Sequence, residues 1–121
     1  MRTCLVVDDS RVVRKVASRI LQALEFETLE AGDGAEALAV CRAGMPDVVL
    51  LDWTMPVMDG LEFLRQLRQE PEGDRPVVVF CSAEHNPARI ADAVERGADE
   101  YIMKPFDGDI IVAKFAQAGL L

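Results

Sequence analysis

Positive charge is scarce in this sequence: 13 lysines and arginines face 21 aspartates and glutamates, for a formal net charge of −8. That balance opposes binding to nucleic acid or to an anionic membrane face. Long hydrophobic runs are missing too. A helix that crosses a bilayer needs about 20 consecutive apolar residues, and no run here approaches that length. Met1-Arg2-Thr3-Cys4 passes directly into an apolar strand pattern with no signal-peptide layout. These absences predict a cytoplasmic protein with no nucleic-acid partner and no membrane insertion. Cysteine is limited to Cys4, Cys41 and Cys81, widely spaced in apolar stretches. An odd, scattered set excludes a disulfide framework or a zinc site and predicts buried free thiols. The one histidine, His85, lies in the polar stretch Glu84-His85-Asn86-Pro87 and reads as a solvated loop residue rather than a metal ligand.

Half of the 121 residues are hydrophobic and 28% are charged, which predicts one globular domain over residues 1–121. Five short apolar runs alternate with five helix-like segments. The runs are Cys4 to Val7, Glu27 to Ala31, Val48 to Leu51, Val77 to Phe80 and Tyr101 to Met103. Three are almost continuously hydrophobic, as parallel strands buried on both faces are. The second alternates, as an edge strand does. Helical stripes are expected from Val13, Val16, Ile20 and Leu24, with Arg11, Arg14, Lys15 and Arg19 largely opposite as a solvated face; the first three basic residues lie near the strand ends, where they could meet an acidic kinase partner. Leu61, Leu64 and Leu67 form a further stripe, and weaker ones are Ala35-Leu38-Ala39, Ile90-Ala91-Val94 and Ile111-Phe115. Met55, Met58 and Met103 look like packing residues. Short linkers punctuated by Gly and Pro complete an open α/β sheet with right-handed crossovers.

In such sheets the site lies beyond the carboxyl ends of the strands. Asp8-Asp9-Ser10 follow the first strand, Asp52 the third, Ser82-Ala83-Glu84 the fourth and Lys104-Pro105 the fifth. Each has a bland reading. Asp8-Asp9-Ser10 can cap a helix, Asp52 can be a polar strand end, and Lys104 can be a turn lysine. Their arrival at one edge favours a site instead. A flavodoxin-like strand order, 2-1-3-4-5, makes the first and third strands neighbours and brings Asp8, Asp9 and Asp52 together. Like charges about 4 Å apart cost about 1 to 4 kcal/mol per pair at effective dielectrics of about 80 to 20. Clustered carboxylates therefore call for a counter-charge, and hard oxygens suit Mg²⁺, or Mn²⁺ in its place. Three carboxylates are then balanced by the divalent ion and the Lys104 ammonium. A carboxylate so placed can act as a nucleophile toward a phosphoryl group, with Ser82 as a donor to the new phosphoryl oxygen.

The ordered set Val6-Val7-Asp8-Asp9-Ser10, Asp52-Trp53-Thr54-Met55-Pro56-Val57-Met58-Asp59-Gly60, Ser82-Ala83 and Lys104-Pro105-Phe106 resembles the receiver domain of two-component response regulators, in particular the single-domain chemotaxis type. The resemblance covers essentially the whole chain. It implies that Asp52 accepts phosphate from a histidine kinase's phosphohistidine, with Asp9 ligating Mg²⁺ directly, Asp8 mainly through water, and the backbone carbonyl of Thr54 as a further ligand. It implies that Lys104 contacts the phosphoryl group, that the Lys104-Pro105 bond is cis, and that Ser82 and Tyr101 switch. The switch would remodel the fourth helix, fifth strand and fifth helix for a downstream protein target. Tyr101 also reads as an ordinary strand aromatic with a wet hydroxyl. Thr54 and Glu84 stand where the family tunes phosphoryl lifetime. With His85 alone, the chain cannot pass phosphate between histidines of its own, so the donor is external. The chain departs from the family pattern at Ser82, where threonine is commoner, and at Glu25, where a glycine often ends the first helix; a less sharp turn is expected there. Rival readings are a phosphorelay shuttle to a histidine phosphotransfer protein, an aspartate-nucleophile phosphatase, and an unphosphorylated interaction module. The phosphatase usually needs an acid/base Asp two residues on, where Thr54 stands.

Overall fold

The structure, a computed structural model, describes residues 1–83 and 86–121. The apolar runs form β1 (Thr3–Val7), β2 (Glu27–Ala31), β3 (Val48–Asp52), β4 (Val77–Ser82) and β5 (Glu100–Met103). They pair in parallel in the order β2-β1-β3-β4-β5, the flavodoxin-like arrangement expected. The helices are α1 (Arg11–Ala23), α2 (Gly34–Ala43), α3 (Gly60–Gln69), α4 (Pro87–Glu95) and α5 (Gly108–Gln117). No helix of the described residues is long and apolar enough to cross a membrane.

Strand alternation divides the core between the sheet faces. Leu5, Val7, Val49, Leu51 and Phe80 meet Leu38, Phe63, Leu64 and Leu67 of α2 and α3. Cys4, Val6, Leu50 and Val79 meet Ala17 and Leu21 of α1 and Ile111 and Phe115 of α5. The central strands β1, β3 and β4 are buried nearly throughout, whereas β2 alternates at the edge. All three cysteines are buried and free. Burial pushes the Cys4 and Cys81 thiols up to about 12 and that of Cys41 up to about 11, so none is a nucleophile at neutral pH.

Several helix faces differ from the expected stripes. In α1 the buried residues are Ala17, Ser18 and Leu21, while Val16 is 47% exposed. Ala17 and Ser18, too small to weigh in a hydrophobic stripe, lie against the sheet beside Leu21, while Ile20 and Leu24 of the expected stripe pack at the margin of the core. Likewise α2 buries Ala37, Leu38 and Cys41 and exposes Ala35 and Ala39. Helix α3 adds Phe63, fully buried, to Leu64 and Leu67. In α4 only Ala93 is buried. Met103, expected to pack, is 44% exposed.

The turn after α1 also differs from expectation. Glu25 takes φ 69°. Its N–H donates to Gln22 O at 3.0 Å, and the Phe26 N–H donates to Leu21 O at 3.0 Å. That is a complete Schellman closure, as sharp as a glycine would make it. Holding a glutamate in the left-handed region costs about 1 to 2 kcal/mol.

Candidate functional site

Register sets the site. Val7 pairs with Leu51, so the next residues, Asp8 and Asp52, emerge side by side. Asp52 pairs with Cys81, and Ser82 with Met103, which delivers Ser82 and Lys104 to the same edge. Asp8 is 3% exposed, Asp52 7% and Ser82 7%, whereas Asp9 is exposed. One carboxylate oxygen from each of Asp8, Asp9 and Asp52 lies within 4.8 Å of the other two. Lys104 Nζ lies 2.8 Å from Asp8 Oδ2 and 3.3 Å from Asp52 Oδ1. The lysine is thus closer to Asp8 than to the strand-end aspartate it was expected to serve.

Local hydrogen bonds fix these groups. The Asp8 N–H donates to Ala31 O at 3.1 Å on β2. Asp8 Oδ1 accepts from the Ser10 N–H at 2.9 Å, and Ser10 Oγ accepts from the Val13 N–H at 3.3 Å as the α1 cap. Helix capping and carboxylate clustering are therefore not rivals, because different residues of one short loop do each. Asp52 Oδ1 accepts from the Trp53 N–H at 2.9 Å. The Lys104 N–H donates to Ser82 O at 2.8 Å, and the Lys104-Pro105 peptide is cis.

Burial raises the Asp52 carboxyl above its ordinary range, and the negative charge of Asp8 raises it further. Lys104 and the Trp53 N–H pull the other way without prevailing. For Lys104, burial pulls downward, but the hydrogen bond to Asp8 and the charges of Asp52 and Asp8 outweigh it and the ammonium is held above its usual range. One ammonium facing two buried carboxylates leaves net negative charge in a shielded pocket. The donor set fits a hard divalent cation. Asp8, Asp9 and Asp52, whose oxygens lie within 4.8 Å of one another, would hold such an ion, directly or through the waters that Mg²⁺ keeps.

The β3–α3 loop closes tightly over this edge. Val57 has φ 68°, and the Met58 N–H donates to Pro56 O at 2.7 Å in a γ-turn. The Gly60 N–H donates to Trp53 O at 2.8 Å. A Cβ on Gly60 would drive into the Asp52 carbonyl oxygen and come within 2.8 Å of Phe80 Cε1. Thr54 is exposed in this loop, two residues beyond Asp52. Trp53 is 4% exposed and contacts Phe80, with centroids 5.3 Å apart, and Tyr101 at 6.5 Å. Tyr101 is itself buried, with its ring edge-on to Trp53. Glu84 and His85 lie outside the described residues.

Two arginines make contacts that the sequence reading did not foresee. The guanidinium of Arg89, on α4, stands 4.7 Å from the Trp53 ring centroid, which gives the residue beside Asp52 a cation–π contact. Arg14, expected on a solvated face, is 19% exposed and donates to Asp8 O at 2.7 Å. Neither carries a sequence signal, because each contact joins segments that only the fold brings together.

The family profile described as the response regulator receiver domain matches residues 4–116. The chain belongs to that family. This receiver domain is 36% identical over 119 residues to the chemotaxis protein CheY of Listeria monocytogenes, covering 98% of each chain. It is also 36% identical over 109 residues to the CheY of Bacillus subtilis, covering 89% of each. The chemotaxis response regulator CheY4 of Vibrio cholerae superposes with a TM-score of 0.92 at 30% identity, covering 98% of each chain.

Proposed function

We propose that this receiver domain takes a phosphoryl group on Asp52 from the phosphohistidine of a histidine kinase, in a Mg²⁺-dependent reaction, and thereby switches its binding to a downstream protein. The observation that carries this reading is the convergence of Asp8, Asp9 and Asp52 within 4.8 Å, with Lys104 Nζ 3.3 Å from Asp52. In the transfer an Asp52 carboxylate oxygen forms a bond to phosphorus as the phosphorus–nitrogen bond of the donor breaks. The donor imidazole leaves with the bonding electron pair and takes up a proton. Lys104 lies where it can meet the phosphoryl oxygens as charge develops on them. Asp8 keeps that ammonium in place at 2.8 Å. Asp8, Asp9 and Asp52, with the Thr54 carbonyl, would hold the metal, which when bound supplies charge neutralisation for the carboxylates and the incoming phosphate. Ser82, buried at the end of β4, would donate its hydroxyl to a phosphoryl oxygen in this reading.

The switch runs through Trp53 in this reading. Its N–H is bonded to Asp52, and its ring touches Tyr101 on β5 and Arg89 on α4. A change of charge at Asp52 is therefore one residue away from contacts with two elements of the α4–β5–α5 face.

Trp53 also furnishes the test. Mg²⁺ is expected to change its fluorescence saturably, and beryllofluoride, a phosphoryl mimic, to shift it further only when Mg²⁺ is present. A spectrum indifferent to both additions would remove the proposal.

A further inference from the structure

Asp8 is tied down at every polar position: its N–H, its carbonyl and both carboxylate oxygens each have a partner. The carbonyl matters most for its neighbour. It belongs to the peptide plane joining Asp8 to Asp9, so whatever fixes that oxygen fixes the direction in which Asp9 leaves the chain. Asp9 is the exposed member of the carboxylate cluster and the one whose own side chain is least constrained by packing.

Arg14 Nη1 donates to this carbonyl at 2.7 Å. Its Nε donates to Glu30 Oε1 at 3.1 Å, and Glu30 Oε2 accepts from Lys15 at 2.9 Å. The Arg14 and Glu30 side chains are only 19% and 24% exposed. A Cβ placed on Gly32 would lie 3.6 Å from Arg14 Nη1, so the guanidinium is seated closely against the turn after β2. A planar fork that uses one edge on edge-strand Glu30 and another on the Asp8 carbonyl has a fixed geometry that an ammonium cannot reproduce.

We propose that Arg14, anchored by Glu30, is a positioning residue that orients the Asp8–Asp9 peptide so that the Asp9 carboxylate joins Asp8 and Asp52 on one divalent cation. The assignment rests on the metal-site reading given above. Charge and geometry predict opposite signs here. A nearby guanidinium repels a cation, so on electrostatics alone its removal tightens Mg²⁺ binding. Loss of a group that orients a ligand weakens binding, typically by about 10-fold to 100-fold.

The test uses the full chain with Arg14→Met, which keeps the stem and drops the fork, and Arg14→Lys, which keeps the charge and drops the fork. Mg²⁺ affinity is read from Trp53 fluorescence, and acetyl phosphate labelling is followed as a function of Mg²⁺ concentration. Both variants are expected to bind Mg²⁺ about tenfold more weakly, with a labelling deficit that closes as Mg²⁺ is raised. A merely structural role would lower the melting temperature and leave the Mg²⁺ midpoint in place. An unchanged or tighter midpoint in folded variants, beside a responsive parent, overturns the assignment alone. A parent that does not respond to Mg²⁺ overturns both the assignment and the metal-site reading. Should Arg14→Met fail to fold, Arg14→Lys decides the matter by the same readings.

Discussion

Asp52→Asn takes up no phosphoryl group from acetyl phosphate and Mg²⁺, yet melts at a higher temperature than the parent at pH 7 without metal. The two halves of this expected result share one cause. An amide keeps the size of the side chain, and its oxygen can still accept from the Trp53 N–H, but it lacks the anionic oxygen that attacks phosphorus. The same anionic oxygen is a burden to the metal-free fold, since burial and Asp8 raise the Asp52 carboxyl above its ordinary range. The sign follows from that shift. The contribution of a carboxyl raised by folding is fully present below its unfolded value, about 3.9, and is lost as pH rises through the higher folded value. Wherever Asp52 is ionised this stability is gone, whereas asparagine never loses it. Lys104 keeps its 2.8 Å partner Asp8 in the variant, so the ammonium is not stranded. Intact-mass spectrometry and thermal melting measure the two halves. Labelling that persists would move the acceptor elsewhere, and a lower melting temperature would contradict the electrostatic account of the pocket.

Gly60→Ala is expected to destabilise the chain by about 3 kcal/mol, at the upper end of what overpacking costs, and to lower the melting temperature by about 10 °C or more. The new methyl meets backbone rather than the end of a flexible side chain: the Asp52 carbonyl oxygen on one side, and the Phe80 ring at 2.8 Å on another. Neither can move freely, because Asp52 is in register with Cys81 on β4 and Phe80 is fully buried. Relief has to come from the β3–α3 loop. That would lengthen the 2.8 Å bond from the Gly60 N–H to Trp53 O and displace the chain immediately after Asp52. A melting temperature within a degree or two of the parent would mean that the loop is looser than its contacts indicate.

The fold was legible in the sequence because the strands announce themselves. Val48 to Leu51 and Val77 to Phe80 are continuous apolar runs rich in β-branched residues, the pattern of parallel strands covered on both faces. The site was legible for the same reason, since a polar residue that ends a buried run stands at the sheet edge. Asp8, Asp52, Ser82 and Lys104 are all of this kind. Helix faces were less legible. Val16 fits a hydrophobic stripe but is exposed, while the smaller Ala17 lies against the sheet. Apolar size does not reveal how closely a helix approaches. The turn at Glu25 was misjudged because the backbone accepts a strained glutamate where chemistry prefers glycine. The contacts of Arg14 and Arg89 were not legible, since a guanidinium on an amphipathic helix reads the same whether it meets water, a carbonyl or an indole.

The central claim is that three carboxylates from the ends of two strands share one divalent ion beside Lys104. Mn²⁺ prefers the same oxygen ligands as Mg²⁺, and its anomalous scattering locates it without reference to any assumed chemistry. Crystals grown with Mn²⁺ should show a single strong peak between Asp8, Asp9 and Asp52, with oxygens of Asp9 and Asp52 at direct-ligand distance. A peak elsewhere, or none there at a saturating concentration, would contradict the account.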